Sequence, residues 1–203
     1  SAAGTYVNDY SSGNSGYVLI TNLSDDVTQS VTSDPQYYQL LNATNYWYAV
    51  GIRPNVATED WDIYMYSDAT MTTSLASSTQ GSGRVDVIVV DGNHTPSANK
   101  YIKADRYSGS GNATIEYENA GDLLTLNTTH SFSWPTNDVV EIWDVYLPPG
   151  TYTFDMDIQS VTADLDFGLF KSNGAAYHAG RNAALASSTS TVLGVDEQFT
   201  FTV

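Results

Sequence analysis

Asp60-Trp61-Asp62-Ile63-Tyr64-Met65-Tyr66 recurs as Asp164-Leu165-Asp166-Phe167-Gly168-Leu169-Phe170, at an offset of 104 residues. The same offset sets Tyr48, Val50 and Ile52 on Tyr152, Phe154 and Met156, so the phase of an alternating strand is kept. Farther on, Leu75-Ala76-Ser77-Ser78-Thr79 returns as Leu185-Ala186-Ser187-Ser188-Thr189 at an offset of 110. Val85, Val87 and Val89 then align with Phe199, Phe201 and Val203 at 114. A drifting offset means that loops between equivalent strands differ in length. Upstream, Tyr6 to Tyr17 looks like Tyr101 to Tyr117, with Tyr10-Ser11-Ser12-Gly13 beside Tyr107-Ser108-Gly109-Ser110. Shared units in the same order mark a tandem duplication.

The repeated segments read as strands. Residues 46–52, 84–90, 151–158 and 199–203 alternate with period two, as a half-buried antiparallel strand does. Tyr152, Phe154, Met156 and Ile158 share one face, and Thr153, Asp155 and Asp157 the other. Clusters of Gly, Asn, Asp, Ser and Pro separate the runs, as turns require. Residues 175–186 are Ala-rich, but Gly180 and the lack of an apolar stripe make them a loop or one short turn. A repeat of about 100 residues suffices for a seven- to nine-strand sandwich. The expected fold is all-β, with two tandem antiparallel β-sandwich domains of jelly-roll type. The first spans 1–92, a polar Gly- and Pro-containing linker 93–98, and the second 99–203.

Composition narrows the function. The 203 residues include seven Lys or Arg and 23 Asp or Glu, a formal net charge of −16. Such a chain does not hold nucleic acid or an anionic membrane through a general field. There is no Cys, hence no disulfide frame, thiolate zinc site or Cys nucleophile. No apolar run approaches the length of a membrane span. Ser1-Ala2-Ala3-Gly4 has neither a basic nor an apolar signal region, so no uncleaved signal peptide is expected in this chain.

In the second repeat, Val145-Tyr146-Leu147-Pro148-Pro149-Gly150-Thr151-Tyr152-Thr153-Phe154 precedes Ala163-Asp164-Leu165-Asp166-Phe167-Gly168-Leu169-Phe170. A strand ending in Pro-x-Gly, an alternating strand, then Asp-x-Asp and an alternating apolar run resembles the pre-peptidase C-terminal domains. The first repeat keeps Asp60 and Asp62 but lacks the Pro-x-Gly turn. The resemblance implies a secreted β-sandwich accessory without catalytic residues of its own.

Candidate sites are few. Asp155 and Asp157, with Asp164 and Asp166 across a short connection, either cap turn amides or gather around Ca²⁺, a hard cation that prefers carboxylate oxygens. Trp47 pairs with Thr151 in the other repeat and is the candidate platform for stacking on a sugar. Trp61 pairs with Leu165 and reads as core. His94, His130 and His178 form no ligand or triad motif, and no nucleophile elbow occurs, so no catalytic residue is assigned. Asn-x-Ser/Thr sequons stand at Asn22, Asn42, Asn93, Asn112 and Asn127, candidates for N-linked glycans in an exported chain.

These readings converge on a non-catalytic extracellular or cell-surface protein. The first expectation is a glycosylated, self-assembling subunit of a filament, sheath or surface layer. A Ser/Gly-rich start at 1–16, containing Tyr6-Val7, would lie along a neighbour's sheet edge, and the chain closes on a strand. The alternative is a polysaccharide-binding or accessory module of a secreted hydrolase.

Overall fold

The computed structural model describes residues 4–8, 17–40, 46–95, 98–135, 137–171 and 175–203. Strands follow in the order β1 Gly4–Asn8, β2 Tyr17–Leu23, β3 Gln29–Val31, β4 Gln36–Leu40, β5 Trp47–Pro54, β6 Asp60–Tyr66, β7 Ser74–Ser78 and β8 Asp86–Asp91. They continue with β9 Lys100–Ser108, β10 Ala113–Asn119, β11 Leu123–Leu124, β12 Asp144–Val145, β13 Thr151–Met156, β14 Phe167–Leu169, β15 Tyr177–Ala179, β16 Ala186–Ser188 and β17 Glu197–Thr202. The described residues contain no α-helix, only single 3₁₀ turns at Gly92–His94 and Arg181–Ala183. The protein is all-β, as its period-two runs require.

Two sheets enclose the main core. One is ordered β1-β2-β4-β9-β6-β7 and the other β15-β8-β5-β10-β3. Alternation puts Trp61, Ile63 and Met65 of β6 on the inner side, facing Val50 and Ile52 of β5 and Ile88 of β8, all fully buried. Burying one such side chain contributes about 1.5–3 kcal/mol.

The structure departs from the expected boundary at 93–98. Strands β9 and β10 lie beyond it, yet β9 sits between β4 and β6, and β10 between β5 and β3. Both sheets therefore continue through the segment read as a linker. The sandwich is filled by Ile102 and Ala104 of β9 and by Ala113, Ile115 and Tyr117 of β10.

A second correction concerns β8. Its inner face carries Asp86, Ile88 and Val90, not Val85, Val87 and Val89. Asp86 tolerates the core side because it accepts from Ser78 Oγ at 2.6 Å and from the Gln80 N–H at 2.7 Å. A buried acid held by local donors breaks the rule that charge marks the solvent face. A third correction is β15, which replaces part of the expected loop at 175–186 and pairs antiparallel with β8.

The recurring segments repeat their pairing position for position. Tyr48, Val50 and Ile52 stand opposite Val90, Ile88 and Asp86. Their counterparts Tyr152, Phe154 and Met156 stand opposite Phe201, Phe199 and Glu197. Ile63, Tyr64 and Met65 face Ser78, Ser77 and Ala76, and Phe167, Gly168 and Leu169 face Ser188, Ser187 and Ala186. The last strands thus match at an offset of 111 rather than 114. The acid recurs as well: Glu197 accepts from Ser188 Oγ and, at 2.7 Å, from the Ser190 N–H.

Candidate functional site

The matched strands differ in what covers them. In the main sandwich β5 lies between β8 and β10, and β6 between β7 and β9. Among the described residues β13 pairs with β17 alone, and β14 with β16 alone. Their apolar faces meet in an aromatic cluster: Phe199 stacks on Phe154 at 5.0 Å and tilts against Phe167 at 4.7 Å between ring centres. All three rings are half-buried, whereas their counterparts Ile88, Val50 and Ile63 are fully buried.

This imbalance extends over the whole C-terminal region. Among the described residues, 23 hydrophobic side chains are buried, and Val139 alone of these lies after residue 120. Of 14 large hydrophobic side chains that are exposed, ten lie at 123–203, including Tyr146, Val161, Val192 and Leu193. Exposed apolar side chains beside unpaired strand edges are a surface suited to another chain.

The chain matches no family model and no curated protein.

A second site lies on the outer face of β10. Alternation sends Glu116 and Glu118 outward while Ile115 and Tyr117 enter the core. Asp25 bridges to Tyr117 and accepts from the Asn119 N–H at 2.8 Å, which brings Asp26, at φ 54°, beside them. Oxygens of Asp26, Glu116 and Glu118 lie within 4.8 Å of one another. Residues 138–141 run over this face because Gly51 leaves room: a Cβ there would lie 2.9 Å from Val139 Cγ1. The N–H groups of Val139 and Val140 donate to Glu116 Oε2 at 2.5 and 3.0 Å.

Burial, then the neighbouring charges of Glu141, Asp25 and Asp26, raises Glu118 to about 8. Burial and the charge of Asp138 raise Glu141 to about 7. Such a group of crowded carboxylates either holds protons near neutral pH or accepts a hard cation on three oxygens. Glu116 and Glu118, two apart on one strand, carried a readable signal for it. The approach of Asp26 depends on long-range pairing and carried none.

The residues singled out from sequence are placed elsewhere. Asp155, Asp157 and Asp164 are exposed and Asp166 is half-buried. Among the described residues no three of these four bring oxygens within 4.8 Å of one another; Asp155 accepts from Gln198 Nε2. Trp47 is half-buried, and one face of its ring stacks on His178 at 5.7 Å. Trp61 is fully buried. Asn93, Asn112 and Asn127 are exposed, and Asn22 lies half-buried in β2. Asn42 lies outside the described residues. His94 contacts Asp91 at 2.6 Å, and His130 accepts from the Thr125 N–H, so the histidines act separately.

Proposed function

We propose that this chain is a non-catalytic extracellular structural protein that assembles with copies of itself into a filament, sheath or surface layer. The observation that carries this reading is the contrast between two equivalent sets of strands. Among the described residues, one set is closed on both edges, and the other has one neighbour per strand and a half-open aromatic face. In this reading the C-terminal region is a second, incomplete copy of the sandwich, related to the first by duplication. The resemblance to pre-peptidase C-terminal domains supports the same reading of its fold. A surface that differs from the rest of the molecule makes a heterologous contact, and repetition of such a contact without closure gives a fibre. The sequons and the scarcity of Lys and Arg accord with a place outside the cell.

Negative-stain microscopy and light scattering of the full chain test this. Extended polymers or large, concentration-dependent mass are expected. A monodisperse monomer at every concentration would overturn it.

A further inference from the structure

We propose that the contact in this assembly is strand donation: β1 of one copy adds antiparallel to the open edge of β14 in the next. The inference rests on the assembly reading and names its interface.

The main sandwich displays the occupied form of the site. There β9 lies against β6, with Met65 opposite Ile102, Tyr64 opposite Lys103, Ile63 opposite Ala104 and Asp62 opposite Asp105. The counterpart of β6 is β14. The counterpart of β9 is found in the sequence. Setting Tyr10-Ser11 on Tyr107-Ser108 sets Val7-Asn8 on Ala104-Asp105. Gly4–Asn8 then corresponds to residues 101–105, the part of β9 that pairs with β6.

The two equivalences fix a register. Val7 falls opposite Phe167, Tyr6 opposite Gly168, Thr5 opposite Leu169 and Asn8 opposite Asp166. Positions 7 and 5 of the strand thereby take the register places that Ala104 and Ile102 hold opposite Ile63 and Met65. Exposed Gly168 leaves the strand edge accessible beside it.

Charge and connectivity favour the same occupant. Gly4–Asn8 carries no charged residue, so it can approach an edge flanked by Asp164 and Asp166 in a chain of net charge −16. Among the described residues β1 is the outermost strand of its sheet and pairs with β2 alone. In contrast, Ile20 and Leu23 of β2 are buried in the sandwich. Eight residues join β1 to β2, and eight residues span at most about 26–29 Å. Donation of β1 with β2 kept in its own sheet is an exchange of the domain-swap kind.

The absence of Cys makes cross-linking a clean test. Asn8→Cys and Asp166→Cys chains, mixed under assembly conditions and oxidised, are expected to give covalent heterodimers. Asn8→Cys with Asp155→Cys, on β13, is expected to give none. Val7→Pro removes a ladder donor and is expected to reduce polymer at least tenfold, whereas Val7→Ala, which keeps the donor, is expected to leave polymer largely intact. Cross-linking to Asp155→Cys instead, or undiminished polymer from Val7→Pro, overturns strand donation on β14 and leaves the assembly reading standing. Monomers throughout from the unmodified chain overturn both.

Discussion

Val50 and Phe154 occupy the same place in two strand pairs of matching register, yet only Val50 is fully buried. The larger side chain is the more exposed. The difference comes from what lies beside the pair, since registers and hydrogen-bonded acids are shared. A strand pair sets its own register through local pairing, but its burial depends on neighbours delivered from elsewhere in the chain. In the main sandwich these neighbours are β9 and β10, which follow the duplicated unit they complete.

Truncation of matched side chains should break the symmetry most strongly. Ile88→Ala removes a fully buried side chain and should cost about 2–5 kcal/mol in denaturant unfolding. Phe199→Ala removes a larger but half-buried ring and should cost about 1–2 kcal/mol, since only part of its surface leaves water on folding. Equal costs would mean that the C-terminal aromatic cluster is already closed within one chain.

The acids should restore the symmetry. Asp86→Ala and Glu197→Ala each leave a Ser hydroxyl and a backbone N–H without their acceptor. Asp86→Ala should cost about 1–3 kcal/mol, since the Ser78 hydroxyl it leaves is buried, and Glu197→Ala about 0.5–1.5 kcal/mol, since its donors are half-buried. Asp86→Asn should cost less, because an amide oxygen can still accept. A large effect at one acid and none at the other would show that the shared geometry does not have a shared energetic role.

These acids also explain what the sequence concealed. The strands at 46–52 and 151–158 were legible because hydrophobic alternation along them is unbroken. Over 84–90 the alternation misleads, because Asp86 occupies an inner position. The two strand pairs of matching register were legible from recurring local units. The capture of β9 and β10 by the first unit was not, because strand order within a sheet is a non-local property. The short β15 has its Tyr177 and Ala179 packed at the core while His178 stacks on Trp47, a pattern too brief for periodicity. At the acidic site two of three carboxylates were visible as a spaced pair, and the third arrived by tertiary pairing.

The pH dependence should come from the closed region. Burial is the largest cause of the upward shifts of Asp62 to about 6, Glu141 to about 7 and Glu118 to about 8. A raised folded value makes the contribution complete below the unfolded range near ~4 and removes it as pH rises through the folded values. The thermal midpoint should fall between about pH 5 and 9, an interval that brackets these raised carboxyls. Glu118→Gln should flatten the upper part of this fall. Millimolar Ca²⁺ should act against it at about pH 8 by favouring the ionised forms of Asp26, Glu116 and Glu118, three carboxylates suited to a hard cation. No Ca²⁺ response would leave this group as a proton-holding cluster.

The smallest expected effect concerns surface modification, which sharpens the comparison in another way. All five sequons lie at or before Asn127, and none lies in 128–203, where the exposed apolar side chains concentrate. A glycan is bulky and hydrated, so one near an open strand edge would obstruct pairing. Mass spectrometry of native material should find glycans at exposed Asn93, Asn112 and Asn127, and an unmodified Asn22 within β2. Asn→Gln changes at the three exposed positions should alter stability by no more than about 0.5 kcal/mol, as surface changes usually do. A native mass equal to the bare polypeptide would remove glycosylation from the account and leave the crowding of apolar side chains at 128–203 as the asymmetry to explain.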